Sequence, residues 1–268
     1  MMVAFSRRRG FSLAELLVAL PISAVIIAAA VGGLSVAISS FEKHGFYAYG
    51  RGWDSVERFF AFLEIPVRHC GVGMPENWDS SLFSPTPRPA WAVWGKAAAV
   101  GNSVNGAFGA TDDWGNALRL VYGIPTGAIV TEAVALDPDE SATLSLSESV
   151  RDDATLDNTS SASWLLFPGT YAPTRMTANG ATSSPTVKSN VSAYVSWGTP
   201  VCRFMAAYIY FSNGIVYCNF NDGSGAQPLF RHIDGLLFKL DDGLLTVKAT
   251  LEDGGTSVEA ARTWRVGQ

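Results

Sequence analysis

The chain has 268 residues, of which 48% are hydrophobic and 16% are charged, and its formal net charge is −5 at pH 7. This length has room for an apolar segment and one domain of roughly 200 residues. The acidic balance argues against direct binding to nucleic acid, which requires a basic stripe on the surface. Glycine, serine, threonine and asparagine are plentiful between residues 101 and 200, which favours an exported β domain with long loops.

The N-terminal segment has the pattern of a membrane anchor. Three arginines, 7 to 9, precede Gly10, and no charged side chain occurs from Leu16 to Phe41. This stretch exceeds the ~20 helical residues that cross a ~30 Å hydrocarbon core. Glu15 stands at its beginning, where a carboxylate costs on the order of a few kcal/mol if it is drawn into the bilayer. We predict a transmembrane helix over residues 11–40, with the arginines cytoplasmic and everything after Ser40 extracytoplasmic.

Two other interpretations of this segment stay open. An ordinary secretory signal would have an apolar region of ~7–15 residues and a cleavage site after it, for which Ala28–Ala30 or Ala37 could serve. A plain signal anchor would let Glu15 reach the interface, since it lies only about 6 Å along the helix from Phe11. Neither explains why a glutamate occupies this position.

The run from Arg7 to Leu20 resembles the class III signal of type IV pilins and type II secretion pseudopilins. In that family a prepilin peptidase cuts after the glycine, N-methylates the new phenylalanine, and leaves glutamate as the fifth mature residue. Gly10, Phe11 and Glu15 occupy those positions. The resemblance implies a leader over residues 1–10, whose removal leaves 16 of the 19 basic residues against 24 acidic ones, a net charge of about −8.

A second helix pattern follows the apolar run. Residues 41–70 read as an amphipathic continuation, because Val56, Phe59, Phe60 and Leu63 recur at i, i+3, i+4 and i+7. Glycines weaken this part of the helix by roughly 1 kcal/mol each, and prolines predict kinks or breaks. These residues are Gly45, Gly50 and Gly52, and Pro21 and Pro66.

After residue 71 the pattern changes to strands and loops. A proline-rich connection runs from Pro75 to Pro89, and residues 137–158 and 170–189 read as exposed polar loops. Apolar β-prone runs predict strands at Leu118–Tyr122, Ala128–Thr131, Ser163–Phe167, Ala193–Trp197, Gly235–Leu240 and Leu244–Leu251. Asn213-Gly214 between Ala207–Phe211 and Ile215–Cys218 predicts a tight hairpin.

The C-terminal half is similar to the end of PilW- and PulJ-type minor pilins, through the segment Gln227–Phe238 and the helix end at Val67–Gly71. The resemblance implies an α+β, pilin-like fold. In it a long N-terminal helix packs on an antiparallel β domain with long loops, spanning residues 71–268. Residues 75–190 match no family pattern.

The cysteines Cys70, Cys202 and Cys218 are disulfide candidates in an oxidising envelope, with the pairing unresolved. A two-residue turn at Asn213-Gly214 places Cys218 opposite Ile209, about 23 Å from Cys202 in a straight hairpin, so Cys70 becomes a candidate partner. His69 with the three cysteines lacks zinc-site spacing, and we predict no metal and no cofactor.

Other chemistry has little support in the sequence. Asp241-Asp242-Gly243 and Asn221-Asp222-Gly223 read as turns rather than calcium loops. With no nucleophile or metalloprotease motif and only three histidines, 44, 69 and 232, the chain is not expected to be an enzyme. Eight tryptophans favour a β core over a carbohydrate-stacking surface.

The resemblance implies a structural subunit rather than a catalyst. We expect a minor pilin or minor pseudopilin that helps to initiate or tip a type IV pilus or a type II secretion pseudopilus. Its expected partners are the prepilin peptidase/N-methyltransferase, other pilin or pseudopilin subunits and the inner membrane. Glu15 would pair with the amine of Phe11. The rival interpretations are a pilin-anchored binding protein (an adhesin or DNA-uptake component) and a signal-anchored enzyme.

Overall fold

A computed structural model describes residues 46–83, 89–104, 107–138, 140–150, 163–177, 182–221, 224–253 and 256–267. The predicted leader, the predicted transmembrane segment 11–40, and Gly10, Phe11 and Glu15 lie outside the described residues, as do Pro21 and Gly45. The chain divides into two units, Met1–Gly50 and Arg51–Gln268. Of the first unit only residues 46–50, the beginning of one helix, are described.

Helix α1 runs from Phe46 to Arg68. Its apolar stripe is buried as the spacing predicted, with Val56, Phe59 and Leu63 fully buried. Pro66 does not break the helix, which continues for two residues beyond it. The chain then turns at Gly71, whose positive φ of 75° suits glycine.

Gly52 lies where α1 packs closely against Leu251 and the backbone of His232. A Cβ atom there would stand 2.8 Å from Leu251 Cδ2 and 2.9 Å from the carbonyl oxygen of His232. Gly52 weakens the helix locally, but its lack of a Cβ atom permits this close packing. Helix propensity alone does not predict that role.

The strands of the described residues are β1 Ala98–Val104, β2 Ala107–Ala110, β3 Ala117–Ile129, β4 Val134–Leu136, β5 Ser141–Thr143, β6 Trp164–Leu166, β7 Thr174–Met176, β8 Thr186–Ser189, β9 Ala193–Val195, β10 Pro200–Ser212, β11 Ile215–Asn219, β12 Ala226–Arg231, β13 Gly235–Asp241, β14 Leu244–Asp253 and β15 Thr256–Arg265. Ten of them form the larger sheet, in the order β2-β1-β3-β10-β6-β7-β8-β5, and β11 and β12 continue from β10. Its longest strands, β3 and β10, pair antiparallel at the centre.

The hairpin prediction is confirmed. Strands β10 and β11 pair with Ser212 opposite Ile215, leaving Asn213 and Gly214 as a two-residue turn. Both turn residues have positive φ, 51° and 75°, which is the type I′ requirement that Asn-Gly meets. Asp242 and Gly243 form the same kind of turn between β13 and β14, with φ of 47° and 73°.

Strands β13, β14 and β15 form a second, three-stranded sheet. It is joined to the first by a pair of backbone hydrogen bonds between Gly115 and Phe238, 2.9 Å and 2.7 Å long. Strand β15 is not among the strands that the sequence predicts. Its residues are mostly exposed, so the apolar run that marks a buried strand is missing.

Two predicted loops contain core residues and short strands. Within residues 137–158, β5 is followed by Leu144, Leu146 and Val150, which are buried; residues 151–158 lie outside the described part. Within residues 170–189, β7 and β8 pair with each other. The polar loop prediction is therefore wrong for these stretches, because serine and threonine alternate with single apolar residues that point inward.

Candidate functional site

Helix α1 is held on the β-sheets by aromatic side chains. The ring of Phe59 lies 5.5 Å from that of Phe230 on β12 and 6.3 Å from that of Phe238 on β13, centroid to centroid. Phe60 meets Trp264 on β15 at 5.8 Å in an edge-on arrangement. Edge-to-face pairs at these distances add to the free energy gained by burial. The helix end is therefore part of the core of the globular unit.

The outer face of α1 carries charges that pair with each other. Asp54 contacts Arg58 at 2.8 Å and Glu64 contacts Arg68 at 2.7 Å, both one helical turn apart. These exposed pairs contribute at most about 1 kcal/mol each to stability. Ile65, next to Glu64, is 56% exposed. The outer face of α1 therefore combines paired charges with an exposed apolar side chain.

All three cysteines are described, and among the described residues no disulfide joins them; each thiol is buried. Cys218 pairs with Ile209, seven positions along β10 from Cys202, which is the register expected from the turn. Cys70 Sγ donates a hydrogen bond to the carbonyl oxygen of Ala97 at 3.2 Å. Burial raises the pKa of the Cys70 thiol to about 12, so it is a poor nucleophile at neutral pH.

The described residues hold no group of three histidine, cysteine or carboxylate side chains that could bind a metal ion. Asp241 and Asp242 lie at a hairpin turn, and Asn221 donates its side-chain amide to the carbonyl oxygen of Ala206 at 2.9 Å. Asp222, Gly223 and His44 lie outside the described residues. His69 is partly exposed at the end of α1, and His232 is exposed before β13.

The eight tryptophans, all within the described residues, differ in their exposure. Trp78, Trp91 and Trp164 are buried together around Phe83. Trp197, which follows the short strand β9, is 72% exposed. Trp53, Trp94, Trp114 and Trp264 are partly exposed, and Trp94 lines a cleft.

This cleft has a volume of about 890 Å³ and lies beside strands β1, β2 and β3. Arg119 on β3 is enclosed by rings: its guanidinium carbon lies 3.9 Å from the ring centre of Phe108, 5.0 Å from Trp94 and 5.8 Å from Tyr208. Such contacts stabilise the cation. Burial lowers the pKa of Arg119, and Tyr208 partly offsets that shift.

Two polar atoms in this aromatic enclosure lack hydrogen bonds. Among the described residues, neither Arg119 Nε nor the Tyr208 hydroxyl has a partner, although both atoms are buried. The rim of the cleft carries Lys96 and three carboxylates, Asp112, Asp241 and Asp242. Sequence reasoning missed Arg119. The available signal was a lone charge within the apolar run Leu118–Tyr122.

Similarity to a known protein family is found at the N-terminal end of the chain. A family model described as the prokaryotic N-terminal methylation motif matches residues 5–31. No curated protein and no solved structure matches the chain. The motif is that of type IV pilin-like, prepilin-type proteins, which are subunits of pili or secretion systems, and the family that carries it is structural rather than catalytic.

The matched range contains Gly10, Phe11 and Glu15. The motif implies processing by a prepilin peptidase, assembly with other pilin-type subunits and attachment to a membrane. Within the described part of the chain, no helix combines the length and the apolar character that crossing a membrane requires.

Proposed function

We propose that this protein is a minor pilin or minor pseudopilin that helps to initiate or tip a type IV pilus or a type II secretion pseudopilus. The observation that carries the proposal is the methylation motif at residues 5–31. The packing of α1 onto an antiparallel β unit supports it, because a helix end buried against a sheet suits a subunit that presents a globule on a stem. The resemblance of Gln227–Phe238 to the end of PilW- and PulJ-type minor pilins favours a low-copy subunit over the main fibre subunit.

In this proposal the protein begins in the inner membrane, with its N-terminus cytoplasmic and its globular unit extracytoplasmic. The peptidase cuts between Gly10 and Phe11 and methylates the new amine of Phe11. That amine pairs with Glu15 of a neighbouring subunit or of the same chain. In an apolar surround an ion pair is far stronger than in water, and a wrong stagger leaves a charge unpaired. The pair would thereby select the correct register during assembly.

The test is incorporation of a Glu15→Val variant. The full chain is expressed with its pilus or secretion system, and the fraction in sheared filaments is compared with the fraction in membranes. Membrane insertion should be unchanged or better because a costly charge is removed, whereas incorporation into filaments should fall sharply. Leu16→Val is the control, since it alters the same segment without touching the charge. Normal incorporation of Glu15→Val would contradict the proposed role.

A second candidate function is a pilin-anchored surface binding protein, an adhesin or a DNA-uptake component. The cleft around Arg119 favours this alternative, because a structural subunit has no evident need of it. The acidic net charge argues against unaided contact with DNA. A strain without this chain that still assembles filaments but loses surface attachment would favour the binding function.

A further inference from the structure

The cleft beside β1 to β3 contains a cation without a counter-ion. Among the described residues no carboxylate forms an ion pair with Arg119, and its buried Nε has no hydrogen-bond partner. A partly desolvated charge is costly unless it is paired. The rings of Phe108 and Trp94 offset part of that cost. They do not replace the hydrogen bonds that the N–H groups of a guanidinium form with an oxygen acceptor. The arginine is held in place by its neighbours, and its charge is not neutralised by any described carboxylate.

We propose that this cleft binds a sugar acid, with the carboxylate of a hexuronate paired to Arg119. A guanidinium matches a carboxylate in shape and can bond it through two parallel N–H donors. The cleft volume of about 890 Å³ falls in the range of small-ligand sites, roughly 300–1,000 Å³. Binding is a property of the globular unit and does not depend on whether the chain enters a filament.

The acidic rim selects the kind of anion. Asp112, Asp241 and Asp242 line the cleft together with Arg119 and Lys96. An acidic peptide carries several carboxylates, which these aspartates would repel. A hexuronate carries one carboxylate and several hydroxyl groups, and ionised aspartates accept hydrogen bonds from hydroxyls. The rim is therefore suited to a ligand that is anionic at one point and a hydrogen-bond donor elsewhere.

The neighbouring groups assign a role to each part of such a ligand. Arg119 takes the carboxylate at the aromatic end of the cleft. Lys96 and Asn77 supply donors for ring or hydroxyl oxygens, while the aspartates accept from hydroxyls. Trp94, which is partly exposed in the lining, offers apolar surface to the C–H groups of a pyranose ring. The free acid and a uronic acid residue within a polysaccharide share this chemistry.

The first test changes the ligand and leaves the protein intact. Full-length protein in detergent micelles is titrated calorimetrically with D-galacturonate, its methyl ester, D-galactose, inorganic phosphate and triglutamate. A charged hydrogen-bonded pair predicts that galacturonate binds about tenfold or more tightly than the ester and galactose, which have similar rings without the charge. Equal binding of the acid and the neutral sugars, no binding of the acid, or tighter binding of phosphate or triglutamate would overturn the proposal.

The second test changes the protein. Arg119→Gln should weaken galacturonate binding about tenfold and leave galactose binding within about twofold. Arg231→Gln is the matched control, since Arg231 is exposed on β12 and outside the cleft. If Arg119→Gln does not fold, Lys96→Gln at the exposed rim should still lower affinity for the acid more than for galactose, because glutamine keeps an N–H donor for the sugar oxygens and removes a positive charge that attracts only the acid. An Arg119→Gln protein that folds and binds the acid as tightly as the unchanged protein would refute the assignment, as would an unaffected Lys96→Gln protein where that variant replaces it. A further titration compares the affinity for D-galacturonate with the affinity for trigalacturonate. It distinguishes a free sugar acid from a uronic acid residue within a polysaccharide, and binding of either supports the site.

Discussion

Replacing Phe59 by alanine tests whether the end of α1 is part of the globular core. Phe59 is fully buried, and its ring lies 5.5–6.5 Å from the rings of Phe60, Phe62, Phe230 and Phe238. Truncation of a buried phenylalanine to alanine costs about 3–5 kcal/mol. Against a total stability of ~5–15 kcal/mol for a domain, this single change should remove at least about a fifth of the free energy of unfolding.

The assay is urea unfolding of a fragment beginning at Gly45, followed by circular dichroism. Phe59→Ala should lower the midpoint without changing the slope, since a change in slope would indicate a different denatured state. Ile65→Ala is the control: it lies on the same helix, is 56% exposed, and should cost no more than about 0.5 kcal/mol. If the two variants lose the same stability, the helix does not contribute its aromatic stripe to the core and the packing argument fails.

Two further predictions concern the same unit. The fragment beginning at Gly45 should be soluble and mainly β by circular dichroism. A fragment beginning at Gly71 should aggregate, because it loses about 1.5–3 kcal/mol of stability for each large side chain of the stripe. Equal stability of the two fragments would show that the helix is only a stalk. Burial raises the pKa of Cys70 from 9.0 to about 12 and raises that of Tyr122. The unfolded thiol therefore loses its proton first, and the free energy of unfolding should fall between about pH 9 and 12. Cys70→Ala should flatten that decline in a series of urea titrations, and an unchanged slope would exclude the thiol as its cause.

Two elements could be predicted from local sequence features, namely the β10–β11 turn and the buried stripe of α1. The Asn213-Gly214 turn fixed the register of β10 and β11 because few residues other than asparagine and glycine accept positive φ at both positions. The stripe of α1 was found by its spacing, since a buried helix face must repeat at three and four residues. The position of the helix on Phe230 and Phe238 could not be predicted, because pairing between distant segments leaves no periodic signal.

The middle of the chain shows where sequence patterns lose their information. Strands β5, β7 and β8 have three or four residues each, too short for an alternation to stand out from polar loops. The buried apolar residues of β7 and β8, Met176 and Val187, are single apolar positions among polar residues. The cleft could not be predicted from sequence patterns either, because Arg119 and Phe108 belong to different strands. They become neighbours only through the pairing of β1 with β2 and β3.

The most direct measurement for the whole account is the mass of the mature N-terminus. The full chain is expressed with its prepilin peptidase, purified from membranes and digested for mass spectrometry. The account predicts a first residue of Phe11 carrying one methyl group, and a precursor that stays uncut when Gly10 is replaced by a bulky residue. A chain that begins near Val31 or Ile38, or one that retains Arg7–Arg9 in the presence of the peptidase, would contradict it.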